Sequence, residues 1–156
     1  MKNGKNGTNG KGKKIAYIDG VAHQIEPHHS TILKFVRDKA GSKEIPTLCD
    51  DPNLAPYGAC RVCSVDVALK KDGPVKTMAS CHAPVTEGSY IITNNKDLKD
   101  LRKNIVELVL TDHPMTCSTC EVNNNCELQT VANNLGINEH RYHNPKQNKG
   151  TPKDTS

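Results

Sequence analysis

The seven cysteines of this 156-residue chain divide without remainder into two sets of four donors, one of them completed by a histidine. The first set is Cys49, Cys60, Cys63 and Cys81, separated by ten, two and seventeen residues. The second is His113, Cys117, Cys120 and Cys126, separated by three, two and five. Chance scatter rarely leaves nothing over. Four donors are what a tetrahedral or clustered metal takes from a protein, so whatever fold forms has to close each set around one centre.

Disulfides are the use least expected of these thiols. Seven is an odd number, Met1 to Lys14 lacks the apolar stretch of a secretory signal, and a reducing cytosol keeps thiols free for metals. No run approaches the roughly 18 apolar residues of a membrane helix, so the chain reads as soluble and cytoplasmic. With aromatic residues at 3% and no tryptophan, few large side chains are available for a core. Something besides hydrophobic burial is expected to help hold it.

A C-x2-C pair alone is weak evidence, because thiolates two residues apart serve zinc knuckles, zinc ribbons and redox motifs alike. The surrounding spacing decides. A zinc ribbon would place its second pair roughly 15 to 20 residues on, whereas 53 residues separate Cys63 from Cys117. A ligand loop, then C-x2-C, then a distant fourth cysteine is the layout of plant-type [2Fe–2S] ferredoxins, with ten residues here before the pair. Gly58 and Ala59 keep side-chain bulk away from a loop whose amide N–H groups must approach the sulfurs. For the second set taken alone, a zinc site of three cysteines and one histidine and a cluster both remain open. Its pairing with the first set favours a cluster, since zinc has no redox chemistry to add beside a redox centre. A histidine in place of a thiolate removes negative charge, a change that raises the potential of Rieske centres.

The formal charge of +4 is unevenly spread, +5 on residues 1–14 and +2 on residues 138–156, which leaves −3 on the middle. A nucleic-acid binder carries positive charge on folded, aromatic-bearing surface. Here it sits on Asn/Gly/Lys-rich ends of low complexity, expected to be disordered, and nucleic acid is not an expected partner.

Between the ends the pattern is mixed. Lys14 to Glu26 alternates about Asp19-Gly20, a dipeptide suited to a two-residue hairpin turn. Ser30 or Thr31 can cap a helix with apolar Ile32, Phe35, Val36 and Ala40, stopped at Gly41. Val62 to Leu69, the turn-like Lys71-Asp72-Gly73-Pro74 and Val75 to Cys81 make a second hairpin, and Tyr90 to Thr93 a further strand. From Asp97 to Thr111 the period turns helical, with Leu98, Leu101, Ile105 and Leu108 as the predicted apolar stripe. Glu127 to Leu135, ending at Gly136, is the last helix. This order belongs to an α+β fold, not to repeated βαβ units.

The stretches IPTLCDDPNLAPYGACRVCSVDV, MASCHAPVTEG and LRKNIVELVLTDHPMTCSTCEVNNNCELQTVANNLGI resemble the N-terminal region of the large iron–sulfur subunit of respiratory complex I. They are equally similar to the electron-input segments of iron-only hydrogenases, NAD-linked hydrogenase diaphorase subunits and NAD-dependent formate dehydrogenases. The resemblance runs from about Ile15 to Ile137. It implies a β-grasp ferredoxin domain over residues 14–94, with [2Fe–2S] ligands on Cys49, Cys60, Cys63 and Cys81. A small, mostly helical domain over residues 95–137 would follow, with [4Fe–4S] ligands on His113, Cys117, Cys120 and Cys126. Residues 1–13 and 138–156 are then tails. The resemblance further implies an electron-transfer subunit that relays single electrons between a flavin- and NAD(H)-binding diaphorase-type subunit and a second redox subunit. Relatives continue into further clusters and a catalytic module; this chain ends after the histidine-bearing set, so no catalytic residues are expected in it.

Two other readings are a free, soluble ferredoxin-like carrier and a zinc-stabilised binding module whose lysine-rich arm touches nucleic acid. The remaining titratable residues have ordinary readings. His28 and His29 are expected in solvent at the helix entry, and His23, His140 and His143 have no partner at ligand spacing. His82 tunes the first centre, lines a docking face, or is a plain loop residue. Asp50, Asp51, Glu121 and Glu127 lie beside cysteines and are expected to lower a centre's potential or mark a partner surface.

Overall fold

The computed structural model describes residues 13–41, 45–139 and 141–142. Most of the two tails expected from composition, with His140 and His143, lies outside the described residues.

β1 (Ile15–Ile18) and β2 (Val21–Gln24) form the first hairpin, closed by Asp19 and Gly20 at φ 47° and 87°. Both turn residues take the positive φ that a right-twisted two-residue connection requires. β3 (Ser64–Ala68) and β4 (Val75–Ala79) pair antiparallel as the second hairpin. β5 (Tyr90–Ile92) enters between the hairpins, parallel to β1 and antiparallel to β3. The sheet order is therefore β2-β1-β5-β3-β4, with the last strand in sequence at its centre. This is the expected β-grasp arrangement.

α1 (Ile32–Lys39) crosses one face, capped by Thr31, whose hydroxyl accepts from the Lys34 amide at 3.3 Å. Ile32, Leu33, Phe35 and Val36 pack with Ala16, Ile18, Val65, Val67 and Ile91 into the main core, while the predicted Ala40 is exposed. Two first-turn amides that no intrahelical partner can satisfy, those of Ile32 and Leu33, donate to the carbonyls of Ala83 and Ser80 at 2.9 Å. The helix thereby holds the chain on both sides of Cys81.

α2 (Lys96–Leu110) lies on the other side of β3, capped by Asn95, whose side-chain oxygen accepts from the Leu98 amide at 2.7 Å. Every residue of β3 is buried, so its alternation marks no exposed face. Asp66 is hidden there because its carboxylate accepts from the Thr77 hydroxyl at 2.6 Å and the Asn95 amide group at 2.8 Å.

The predicted apolar stripe of α2 needs correction. Leu98 is buried, but Leu101 and Leu108 are 37% and 55% exposed, and the inward positions are Leu98, Arg102, Val106, Glu107 and Leu110. Arg102 Nη2 donates to the Ser64 carbonyl at 2.6 Å and to the Thr93 carbonyl at 2.8 Å. No leucine could satisfy those two strand-end carbonyls, and leaving buried carbonyls unpaired would cost more than exposing apolar surface elsewhere. Glu107 accepts from Arg141 Nε at 2.7 Å, which ties the start of the C-terminal segment to α2.

α3 (Glu127–Asn134) completes a second core of Val62, Val106, Leu110, Val131, Ala132 and Ile137, with Leu48 and Cys60 at its edge. Because Leu48, Cys60 and Val62 come from the first cysteine loop, this core joins the two halves of the chain. His29 also departs from expectation, being buried: Nδ1 accepts from the Glu26 amide at 2.9 Å and Nε2 lies 3.0 Å from Asp38 Oδ2. The backbone donor at Nδ1 places the ring proton on Nε2, aimed at the carboxylate. Among the described residues no helix is long and apolar enough to cross a membrane.

The rotation of α2 sets a stability contrast. Leu98→Ala is expected to cost about 2–5 kcal/mol by urea unfolding, as for a buried leucine, and Leu108→Ala no more than about 0.5 kcal/mol.

Candidate metal centres

The first four thiols are gathered by the sheet and one long loop. Cys63 directly precedes β3 and Cys81 follows the end of β4, and the ladder pairing Ser64 with Ala79 brings them together. Ser80 closes the junction, donating to the Cys63 carbonyl from its amide at 3.2 Å and its hydroxyl at 2.7 Å. The start of the loop is fastened to α1, where Arg37 reaches Asp50 at 2.6 Å and Thr47 at 3.0 Å. Asp50 is thus an anchor more than a free acidic surface, and Asp51 accepts from the Asn53 amide within the loop. His82 Nδ1 meets the Pro56 carbonyl at 3.2 Å, pinning the loop to the Cys81 turn. Between Cys60 and Cys63 the chain reverses through Arg61 at φ 64°, a left-handed conformation held only because its surroundings require it.

The thiols fall into two pairs. The Cys60 amide donates to Cys49 Sγ at 3.5 Å, and the Cys81 thiol is hydrogen-bonded with Cys63. Among the described residues no three cysteine sulfurs lie within 4.8 Å of one another. The two pairs would give each metal of a two-metal centre two thiolates.

Burial would raise the Cys49 thiol, but backbone hydrogen bonds at Cys60 and Ala59 and the Cys60 side chain hold it below its ordinary value. Burial raises Cys60, against a backbone hydrogen bond at Val62. Cys81 is pushed up to about 12, first by burial, then by its hydrogen bond with Cys63 and the negative charge of Cys63 and Cys49, while the Gly58 backbone acts in the opposite sense. Thiols crowded like this ionise together only when positive charge arrives with them, as an iron–sulfur centre provides. Gly58 shapes the cradle: its φ is 70°, and a Cβ there would stand 3.2 Å from Ala79 Cβ and 3.5 Å from His82 Cβ. The donor set and the cradle fit a cluster.

The second set is built at the end of α2. His113 follows the helix, its amide donating to the Leu110 carbonyl at 3.2 Å. Cys117 opens a short 3₁₀ turn (Cys117–Thr119), Cys120 follows it, and Cys126 sits at the N-cap of α3. All four line one cavity of 340 Å³, against Leu110, Leu128, Ala132 and Ile137. Gln129 clamps the connecting loop, donating to Asn123 Oδ1 at 2.9 Å and accepting from the Asn124 amide at 2.8 Å, while Asn124 turns at φ 64°. Cys120 is exposed, as are Met115 and Val122 beside it. Glu121 and Glu127 lie on the surface.

One residue near the first set escapes any reading of sequence spacing. Arg102 is 3% exposed and its Nε has no hydrogen-bond partner. Burial lowers its guanidinium pKa, and the charges of Cys63 and then Asp66 act to raise it. Only its place on α2, against the Ser64 and Thr93 carbonyls, reveals it.

Fold and grouped thiols together mark an iron–sulfur protein of ferredoxin type with a second candidate centre in the cavity that His113 lines. Residues 15–96 match the model of the 2Fe-2S iron-sulfur cluster binding domain, and the chain belongs to that family. Residues 102–141 match the NADH-ubiquinone oxidoreductase-G iron-sulfur binding region. One [2Fe–2S] and one [4Fe–4S] cluster are the cofactors of these two regions. The NADP-reducing hydrogenase subunit HndD of Solidesulfovibrio fructosivorans is 37% identical over 80% of this chain and 21% of its own. An NADH-quinone oxidoreductase subunit of Buchnera aphidicola is 34% identical over 88% of this chain and 14% of its own. A solved NAD+-reducing [NiFe]-hydrogenase superposes with a TM-score of 0.70 at 25% identity, covering 83% of this chain and 52% of that one. The chain thus spans only a minor part of these curated relatives.

Gly58→Ala tests the cradle. The variant is expected to lose most of its [2Fe–2S] content, read as the electron paramagnetic resonance signal after reduction, with the second centre retained.

Proposed function

We propose that this chain is an iron–sulfur electron-transfer subunit of a multi-subunit oxidoreductase, with Cys49, Cys60, Cys63 and Cys81 holding [2Fe–2S] and His113, Cys117, Cys120 and Cys126 holding [4Fe–4S]. Residues 14–94 and 95–137 are the corresponding domains. The observation that carries the reading is the arrangement of the first four thiols as two pairs under directed backbone amides, in the same chain as a second four-donor cavity. When bound, the clusters supply one-electron redox chemistry.

The chain's own groups have definite tasks in that reading. Amides of the 58–62 segment offset thiolate charge, and α1 and Ser80 fix the Cys63–Cys81 junction. Val62, Val106 and Leu110 pack as an apolar wall shared by the two sites and keep water out between them. Relatives named as nicotinamide-linked hydrogenase and quinone reductase subunits support partners of two kinds, a flavin- and NAD(H)-binding diaphorase-type subunit and a second redox subunit. The working compartment is the cytoplasm.

Anaerobic purification followed by iron, sulfide and zinc analysis tests the ligand sets. Both clusters are expected, and Cys63→Ser should abolish the [2Fe–2S] signal while the [4Fe–4S] signal persists; zinc at either set overturns that assignment. Co-purification of partner subunits supports a complex, whereas a chain recovered alone is a free ferredoxin-like carrier. Replacing His113 with Cys adds a negative charge, and the [4Fe–4S] midpoint potential is expected to fall; a midpoint unchanged or raised in redox titration contradicts the histidine ligand.

A further inference from the structure

Arg102 is a cation with nowhere ordinary to put its charge. It is 3% exposed, and no carboxylate of the described residues forms an ion pair with it. Its two hydrogen bonds go to neutral carbonyls, those of Ser64 and Thr93, and its Nε has no partner. Asp66, the carboxylate whose charge reaches it, already accepts from Thr77 and Asn95. Burying an unpaired guanidinium is costly, by several kcal/mol, unless a negative charge lies close by. Two nearby groups lower that cost, Cys63 and, after it, Asp66. Cys63 is itself 1% exposed, and the carbonyl that Arg102 grips is that of Ser64, the residue immediately after it.

We infer that Arg102 is the built-in counter-ion of the first thiolate cage, a positioning residue on α2 that raises the reduction potential of the [2Fe–2S] centre. The inference rests on the ligand assignment of the preceding section and goes beyond it. A tetra-thiolate centre is anionic before reduction and gains one more negative charge on reduction, so a fixed buried cation favours the reduced form. Low local dielectric strengthens the effect, because no water reaches the guanidinium to screen it. The same contact ties the first cage to the helix whose end carries His113, so one element sets the surroundings of both sites.

The experiment compares the reconstituted full-length chain with Arg102→Met, Arg102→Gln and Arg102→Lys in redox titrations that follow each cluster's paramagnetic signal. Met and Gln are expected to lower the [2Fe–2S] midpoint by at least the equivalent of a tenfold change in the reduction equilibrium, about 59 mV for one electron. Lys, which keeps the charge, should stay closer to the parent, and the [4Fe–4S] midpoint should move less in every variant. Should Met and Gln fail to assemble the [2Fe–2S] centre, rescue by Lys supports the counter-ion role. Failure of all three, Lys included, assigns Arg102 to carbonyl capping alone and overturns it. An assembled centre with an unmoved midpoint in Gln overturns it as well. Absence of any [2Fe–2S] signal in the parent chain is a different result, since it strikes the ligand assignment and not Arg102.

Discussion

Bringing four thiols into one small volume concentrates incipient negative charge, and the architecture of the first half of the chain answers that difficulty. Burial first, and then Cys63 and Cys49, push the Cys81 thiol up to about 12, so it resists ionising where no positive charge accompanies it. Backbone amides are the first remedy. They can be aimed at sulfurs only if the loop carries little side-chain bulk and turns sharply, which is the setting of Gly58 at φ 70° and Arg61 at φ 64°. Arg102, buried with its guanidinium on the Ser64 carbonyl, adds a positive charge next to Cys63.

The β-grasp sheet suits this task because its second hairpin brings two candidate donors together at its strand ends. Cys63 and Cys81 flank the β3–β4 ladder, so antiparallel register brings them together and Ser80 closes the junction. α1 then directs its two free first-turn amides to the carbonyls of Ser80 and Ala83, which locks the Cys81 turn without any side chain from the helix. The loop bearing Cys49 and Cys60 has no strand to hold it, and it is secured instead by Arg37 and His82.

α2 is the element on which the two halves meet. Its inward face begins at Leu98 beneath the sheet, passes Arg102 at the first thiol set and Val106 against Val62, and ends at Leu110 on the wall of the second cavity. The second site is shallower and more open, with Cys120 on the surface. Its four candidate donors come from one continuous turn-rich segment between α2 and α3, so local geometry does there what the sheet does for the first.

Cysteine spacing alone marked out two candidate four-donor sets, and hydrophobic alternation and turn residues determined both hairpins, β5 and the positions of three helices. These are local signals: a C-x2-C pair, an Asp-Gly turn or a Thr cap acts through neighbours a few residues away. The division of the first thiols into pairs, the rotation of α2 that turns Leu101 and Leu108 outward, and the burial of His29 and Arg102 were decided only by tertiary structure. Each depends on a buried polar group finding a partner supplied by a distant stretch of chain, or, for His29, by the far end of the helix it precedes. Arg102 and Ser64, 38 residues apart, are the plainest case: no periodicity in α2 can announce that two strand-end carbonyls await a donor, and that unmet demand, not the helix's own apolar pattern, orients it.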